Sequence, residues 1–186
     1  MTKKIRKDYY FEIEIPEGVN AEINNNLLIV KKDSKELKRK IDSAVSAKID
    51  GNKITLSIKK AKKNVKREFG TARSHIKNMI KGLTEGFEYE LEICNVHFPM
   101  TVTFDKAKSE FIIKNLLGEK CPRTIKAAGN IEVEIKAPKI KLKSYDLESV
   151  GQAAANLEKV SKIRNRDRNK FQDGIFITKK PGVDYL

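Results

Sequence analysis

The side chains with the clearest chemical capacity in this sequence are clustered cations. The basic segment, defined here as Lys159–Lys180, contains only two acids, Asp167 and Asp173. Its bases are Lys159, Lys162, Arg164, Arg166, Arg168, Lys170, Lys179 and Lys180. Like charges at this density repel one another unless an anion lies opposite them, and a nucleic-acid backbone is the partner that fits best. Arginine adds bidentate hydrogen bonds to phosphate and stacking on bases.

Residues that could perform catalysis or hold a metal are sparse. The sequence lacks a G-x-S-x-G motif, a P-loop, an H-E-x-x-H motif and a Rossmann glycine fingerprint. Glu132 and Glu134 fall on one face of a predicted strand beside Lys136, an arrangement that a solvated face explains better than acid–base chemistry. We therefore predict no enzymatic activity and no cofactor.

The cysteines are Cys94 and Cys121, and neither belongs to a C-x-x-C pair. This pattern favours two buried free thiols in a reducing compartment over a disulfide. Together with His75 and His97 they do not show metal-ligand spacing, so we predict no metal site.

Composition indicates a folded protein with an anionic partner. The 186 residues are 39% hydrophobic and carry a formal net charge of +14, which suits one or two small domains that bind a polyanion. The longest stretch without Asp, Glu, Lys or Arg is Ile93–Phe104, well short of the roughly 20 residues that a membrane span needs. Because Glu12, Glu14 and Glu17 interrupt any apolar signal region, we expect a cytoplasmic protein without a membrane partner.

Three further clusters of bases strengthen the expectation of a polyanion. Each cluster alone is equally consistent with a solvated surface. Residues 1–83 hold 21 bases against 10 acids, and residues 84–186 hold 18 against 15. We expect the first half to attract the polyanion and the arginine-rich second half to position it. The clusters are Lys59, Lys60, Lys62, Lys63, Lys66 and Arg67; the bases of Lys31–Lys40; and Lys136, Lys139, Lys141 and Lys143.

The elements that would position these charges follow one plan twice. Each half has a run of short strand patterns followed by a helix, which predicts an α+β fold of two tandem duplicated domains, each a mostly antiparallel sheet with one helix on one face. The first helix is predicted from Thr71, as N-cap, to Leu83 and the second over Asp146–Ile163, capped by Ser144 or Asp146. The predicted strands are Tyr10–Ile15, Ala21–Ile23, Leu27–Lys31, Lys35–Ile41, Lys53–Ile58, His97–Phe104, Glu110–Lys114, Arg123–Lys126, Asn130–Lys136 and Lys139–Lys143.

The boundary between the two domains is predicted near Gly82–Gly86. This gives an N-terminal domain over residues 1–83 and a C-terminal domain, with the basic segment, over residues 84–186. The alternating pattern of Phe87–Ile93 predicts a strand that either completes the first sheet or begins the second. Because no aromatic-rich strand resembles an RNA-recognition motif, we expect recognition of folded RNA by shape and backbone. Core packing is the favoured role of Phe171, and base stacking is the alternative.

Two stretches resemble a known family. The run DLESVGQAAANLEKVSKIRNRDRNKFQDGIFITKKPG, Asp146–Gly182, is similar to the C-terminal signature of the sixth protein of the large ribosomal subunit, in its archaeal and eukaryotic branch. The run FPMTVTFDKAKSEFIIKNLLGEKCPR, Phe98–Arg123, resembles the mid-chain motif of the same family. The N-terminal half matches mainly in pattern, and the two-copy plan agrees with the duplicated domains of that family.

The resemblance implies a structural protein of the cytoplasmic ribosome that binds large-subunit ribosomal RNA near the sarcin–ricin loop. It also implies neighbouring large-subunit proteins, and translational GTPases that dock nearby, as partners. Asn169 stands where the family usually has a base and Phe176 where it usually has Tyr, so one cation and one hydroxyl are missing. The predicted ribosomal-RNA-binding residues are Lys162, Arg164, Arg166, Arg168, Lys170, Lys179, Lys180, Lys120 and Arg123.

Two alternatives remain at the level of sequence. A free, chromatin-like or RNA-associated protein could use the same cationic surfaces, and equal affinity for duplex DNA and folded ribosomal RNA would favour it. An enzyme with a hidden site would require a deep pocket lined by convergent polar groups.

Overall fold

A computed structural model describes residues 8–59, 62–127 and 129–184, and places them in two compact units, Met1–Glu85 and Gly86–Leu186. The units are described separately below. Lys60, which belongs to one of the predicted basic clusters, lies outside the described residues.

The first unit contains two three-stranded antiparallel sheets and one helix. Its elements are β1 (Tyr9–Glu14), β2 (Asn20–Asn24), β3 (Leu27–Lys32), β4 (Lys35–Lys40), β5 (Ser46–Asp50), β6 (Lys53–Ile58) and α1 (Lys63–Thr84). One sheet has the strand order β1-β6-β5 and the other the order β2-β3-β4, and the helix packs against β6, β3 and β1. The core of this unit contains Leu28, Val30, Ile54, Leu56 and Ile76, which are almost fully buried.

Helix α1 is longer than its sequence pattern predicts. The predicted apolar face is confirmed by buried Ile76, Met79 and Leu83, but the predicted start at Thr71 is wrong. The Thr71 hydroxyl donates to the carbonyl of Arg67 at 3.0 Å, within the helix. Lysine and arginine are good helix formers, and buried Phe69 anchors the early turns, so the basic spacer is part of the helix.

The second unit repeats this arrangement and adds to it. Its elements are β7 (Phe87–Cys94), β8 (Thr101–Asp105), β9 (Glu110–Lys114), a 3-10 turn (Leu116–Gly118), β10 (Arg123–Lys126), β11 (Glu132–Lys136), β12 (Lys139–Ser144), α2 (Leu147–Ser161), β13 (Gly174–Lys180) and β14 (Val183–Asp184). The larger sheet has the strand order β11-β12-β7-β13-β14, and the smaller sheet the order β10-β9-β8. Helix α2 packs against β13, β7, β12 and β10.

Helix α2 lies where the sequence places it. Of the two predicted caps, Asp146 is the N-cap, because its carboxylate accepts the backbone N–H groups of Glu148 and Ser149 at 3.1 and 3.2 Å. The Ser144 hydroxyl supports the cap by accepting the N–H of Asp146 at 3.2 Å. Val150, Ala154 and Leu157 are buried against the sheet. The helix ends at Ser161, two residues before the predicted end.

The duplication is visible in the order of the strands. β1, β6 and β5 of the first unit correspond to β7, β12 and β11 of the second, and each unit follows its first strand with a three-stranded meander. The predicted α+β fold of repeated sheet-and-helix domains is therefore confirmed. The second unit departs from the plan at one edge, where β13 pairs with β7 and β14 pairs with β13.

The structure settles one open strand assignment and corrects several others. Of the two alternatives for the Phe87–Ile93 strand, the second holds: it belongs to the second unit, as the central strand β7 of its larger sheet. β8 begins at Thr101, because His97 is held in a loop, and β11 begins at Glu132. β5, Ser46–Asp50, was not predicted, since only Ala47 and Ile49 of its residues are partly buried. No helix among the described residues is both long and apolar enough to cross a membrane.

Candidate nucleic-acid interface

The arginines of the basic segment lie in the connection between α2 and β13, residues 162–173. Buried Ser161 fixes the start of this connection to its end: its hydroxyl accepts the N–H of Ile175 at 2.9 Å and lies 3.1 Å from the carbonyl of Glu158. The last turn of α2 and the first residues of β13 are thereby joined. The connection is a tightly closed loop on a rigid base.

Inside the connection, Asp167 orders the backbone. Its carbonyl accepts the N–H groups of Lys170 and Phe171 at 3.1 and 2.9 Å, and its carboxylate accepts the N–H of Asn169 at 3.0 Å. Asn165 has a φ of 58°, a left-handed conformation that asparagine tolerates better than most residues. These bonds form one compact turn, so the arginines are displayed from an ordered backbone.

A second acid, Asp173, clamps the connection to the loop that follows β7. Its side chain is 3% exposed. One oxygen accepts the N–H groups of Val96 and His97 at 2.8 and 2.9 Å. The other oxygen lies 2.6 Å from Nδ1 of His97. Burial alone would raise the pKa of Asp173, but the bonds from His97 and Val96 outweigh it and hold the pKa below its usual value.

Aromatic rings extend this clamp toward the arginines. The His97 and Phe171 rings are stacked, with centroids 4.8 Å apart. The Arg166 guanidinium carbon lies 5.3 Å from the Phe171 centroid, and that of Arg168 lies 6.0 Å from the Phe176 centroid. At these distances cation–π attraction orients both arginines. Phe171 therefore packs against His97 and supports Arg166, which agrees better with the favoured packing role than with base stacking.

The predicted cations of the connection are exposed to solvent. Lys162, Arg164, Arg166, Arg168 and Lys170 all have exposed side chains. Within the described part of the chain, none of the three arginines forms an ion pair with an acid. Their charge is therefore not neutralised by the fold.

The lysines on the large sheet of the second unit behave differently. Lys141 lies 3.1 Å from a carboxylate oxygen of Glu90, Lys143 lies 3.0 Å from one of Glu88, and Lys136 also pairs with a glutamate. Hydrogen bonds from Lys143 lower the pKa of Glu88. This predicted cluster is thus largely neutralised within the sheet, and the solvated-surface interpretation suits it better.

The remaining predicted site residues lie apart from the arginines or are engaged elsewhere. Lys179 and Lys180 are at the other end of β13, since Gly174 pairs with Cys94 whereas Lys179 pairs with Glu90. Lys120 is exposed after the 3-10 turn. RNA contact by these three residues stays a prediction.

Arg123 holds the end of α2 to the start of β10. Its guanidinium donates to both carboxylate oxygens of Glu119, one of them at 2.8 Å, and to the carbonyls of Val160 and Lys162. The bond from Arg123 lowers the pKa of Glu119. The structure gives Arg123 a positioning role for the connection, and direct RNA contact by Arg123 stays a prediction.

A cavity of about 540 Å³ lies between the last turns of α2 and the connection. Its lining includes the exposed cations Lys159, Lys162 and Arg168, whose side of the cavity is called the rim, and the less exposed Cys94 and Phe176. The sequence did not predict this cavity, because its wall residues come from three separate parts of the chain.

The cysteines are both free, but the prediction that both are buried is wrong. Cys121 is exposed, since it precedes β10 in an open loop, and Cys94 is partly buried. Burial raises the pKa of the Cys94 thiol, so the neutral form is favoured. Within the described residues, no three His, Cys, Asp or Glu side chains form a group that could hold a metal ion.

Comparison with known proteins decides the family. The family model of ribosomal protein L6 matches residues 15–86, which cover most of the first unit. The large ribosomal subunit protein uL6 of Methanococcus vannielii is 44% identical over 172 residues, which cover 92% of this chain and 93% of that protein. The chain belongs to the ribosomal protein L6 family.

Two further L6 relatives show the same full-length similarity. The uL6 proteins of Methanobrevibacter smithii and Haloarcula marismortui are 43% and 37% identical to this chain, over 91% of its length in both comparisons. They are covered over 94% and 95% of their own lengths. L6 proteins are structural ribosomal proteins and not enzymes, so the cavity is a candidate for binding and not for catalysis.

Proposed function

We propose that this L6 protein binds large-subunit ribosomal RNA through its α2–β13 connection, with Arg164, Arg166 and Arg168 against the phosphates. As a member of its family the chain is a structural constituent of the large subunit of cytoplasmic ribosomes. The observation that carries the proposal is the set of three exposed arginines that form no ion pair with an acid among the described residues. Such charges are stabilised when phosphate groups lie opposite them.

The rigidity of the connection supports recognition of folded RNA. Ser161, Asp167 and Asp173 fix its backbone, and two of the arginines lie against aromatic rings. A binding surface whose backbone is already ordered loses less conformational entropy when it binds. The arginines can therefore match a fixed arrangement of phosphates, as the backbone of a folded RNA provides.

The wider surroundings of the site are also part of the proposal. The family resemblance supports a position near the sarcin–ricin loop, with neighbouring large-subunit proteins in contact and translational GTPases docking nearby. Lys162 and Lys170 would add contacts beside the arginines, and Lys120, Lys179 and Lys180 would contact RNA farther away. The proposed domains, residues 1–83 and 84–186, would contribute unequally, with the second making the principal RNA contact.

Replacing the three arginines tests the proposal. In cells expressing the triple variant Arg164→Ala, Arg166→Ala and Arg168→Ala, we expect the protein to be absent from large subunits on sucrose gradients, although the purified variant remains folded. The matched control removes the same charge from exposed lysines of the β8–β9 hairpin and its end, Lys106, Lys108 and Lys114. Co-sedimentation of the folded arginine variant at the wild-type level would overturn the assigned role.

Salt dependence gives a second measurement. If six to ten phosphates are contacted, affinity for large-subunit RNA should fall by about 10³–10⁵ between 50 and 200 mM salt. Each arginine that contacts a phosphate should reduce the slope of log affinity against log salt by about 0.7–0.9 when it is replaced. An unchanged slope in the triple variant would mean that the arginines do not contact phosphate.

A further inference from the structure

The cavity beside α2 has one wall made by a single helical face. Ala155, Glu158 and Lys159 line it, and their spacing of three and four residues places them on one side of the helix. Lys162, the first residue after the helix, lines the cavity beside them. The opposite wall comes from the α2–β13 connection, including Arg168 and Phe171. Because the Ser161 and Asp173 bonds hold the connection in place, the cavity has two ordered walls.

The floor of the cavity is closely packed. It is made where β7 ends and β13 begins, at Cys94 and Gly174, with the Phe176 ring beside them. A Cβ at Gly174 would lie 3.3 Å from the Phe176 ring and 3.5 Å from the carbonyl of Ser161, and the φ of Gly174 is +148°. Glycine therefore allows the ring to lie directly against the floor. The neutral Cys94 thiol keeps this end of the cavity weakly polar.

The chemistry of the cavity changes from its rim to its floor. Three cations, Lys159, Lys162 and Arg168, line the cavity together with two acids, Glu158 and Asp173. The Asp173 carboxylate is already bonded to Val96 and His97, so the cations prevail at the exposed side. Such a site suits a ligand with an anionic group at one end and a flat, weakly polar ring at the other. A volume of about 540 Å³ lies within the range of about 300–1,000 Å³ that is typical of small-molecule sites.

We infer that the cavity binds one unstacked nucleotide of the ribosomal RNA, with its base against Phe176 and its phosphate beside Lys159 and Lys162. The guanidinium carbon of the exposed Arg168 lies 6.0 Å from the Phe176 centroid, and this side chain would move outward to cover the other face of the base. Phe171 is less suited to stacking, because His97 already lies against its ring. This inference rests on the proposed RNA-binding function and names a separate contact, one that inserts a base instead of following the backbone.

Weak binding of mononucleotides to the purified full-length chain tests the site. Two probes are compared by NMR titration: AMP, and ribose 5-phosphate, which has the same sugar and phosphate but no base. Base–aromatic stacking is equivalent to a gain of about 5- to 150-fold in affinity. We expect AMP to bind tighter by a factor in this range and to shift the Phe176 ring signals. Equal affinities would reduce the site to an anion patch and overturn the inference.

A variant that fills the cavity sharpens the test. Ala155 is exposed, so Ala155→Leu should fold normally while its larger side chain occupies the space of the base. We expect AMP affinity to fall to that of ribose 5-phosphate, with the latter unchanged. The control is the same substitution at exposed Ala107 in the β8–β9 turn, which should change neither affinity. Undiminished AMP binding by Ala155→Leu would contradict the assigned position of the base.

Chemical probing of large ribosomal subunits distinguishes failure of this inference from failure of the proposed function. Large subunits that carry the Ala155→Leu protein should show one ribosomal RNA base that becomes reactive to chemical probing and is protected in wild-type subunits. Unchanged reactivity would show that no RNA base occupies the cavity and would overturn the inference. If the wild-type chain sediments with large subunits but AMP binds no tighter than ribose 5-phosphate, only the nucleotide site fails. Failure of the wild-type chain to sediment would instead refute RNA binding itself.

Discussion

Removing the Asp173 carboxylate should loosen the surface that carries the arginines. Asp173→Ala breaks the bonds to the N–H groups of Val96 and His97 and to the His97 ring. Asp173→Asn is the milder change, because its amide oxygen can still accept both N–H groups while the charge is lost. The two variants therefore separate the bonds from the charge.

The expected magnitude follows from the contacts. Hydrogen bonds to a charged group contribute about 1.5–3 kcal/mol each, but Val96 is 65% exposed, so water can replace part of what its N–H loses. We expect Asp173→Ala to lower the free energy of unfolding of the second unit by about 3 kcal/mol and Asp173→Asn by about 1 kcal/mol. The larger value is equivalent to a roughly 150-fold increase in the opening constant.

Hydrogen exchange is the appropriate assay, because it reports each unit separately. The amide protons of β7 and β13 should exchange faster in Asp173→Ala, whereas those of β3 and β6 in the first unit should not change. The control is Asp105→Ala, which also removes a carboxylate bonded to two backbone N–H groups, at 2.9 and 3.4 Å, in the partly exposed β8–β9 turn. We expect a cost below about 1 kcal/mol there.

Acid titration tests how the charge of the Asp173 carboxylate contributes to the free energy of unfolding. Because the folded protein holds the pKa of Asp173 below its usual value, the unfolded chain binds a proton first as pH falls. The stabilising contribution of the Asp173 carboxylate is fully present above about pH 4, the usual pKa of an aspartate. It is lost as pH falls through the lower pKa that Asp173 has in the folded protein. The ionisable side chains that face this carboxylate are His97 and Cys94. An Asp173→Ala protein with wild-type exchange at neutral pH would refute this account of the clamp.

Two further substitutions test the division into units and the role of Arg123. Leu91→Ala, at a fully buried position, should lower the free energy of unfolding of the second unit by about 2–5 kcal/mol, and Leu56→Ala should do the same in the first. Faster exchange in both units from either change would contradict separate folding. Arg123→Lys cannot reproduce the two bonds to Glu119, so NMR titration should show the pKa of Glu119 rising toward its usual value. An unchanged midpoint would show that Arg123 does not set that pKa.

The sequence predicts those elements whose apolar spacing is regular. The second helix is within two residues of its predicted end because Val150, Ala154 and Leu157 form an uninterrupted buried face below a good N-cap. The first helix begins earlier than predicted. Its true start is hard to recognise from sequence because the early turns are lysine-rich and only Phe69 among them is buried. A charged, exposed helical turn has no apolar period by which it can be recognised.

The sequence predicts the cluster of arginines but not the side-chain contacts that hold their loop in place. Their clustering predicts an anionic partner, and their exposure agrees with it. The bond between Asp173 and His97 joins residues 76 positions apart, and local spacing contains no information about such a pair. Similarly, the spacing of the β12 lysines leaves a solvated surface and a binding surface equally open. Pairing of β12 with β7 places Glu88 and Glu90 beside these lysines and favours the solvated surface.

Pairing of strand β13 links folding of the second unit to formation of the ordered arginine surface. During synthesis, β7 has only β12 as a neighbour until β13 has been made, and the row of N–H and C=O groups on its other edge is open to pairing with another chain. Pairing of β13 closes that edge and also draws the α2–β13 connection into its bonded form through Ser161 and Asp173. Incompletely folded copies would therefore lack the ordered arginine surface. If this surface binds ribosomal RNA as proposed, fully folded molecules would be incorporated preferentially into nascent subunits.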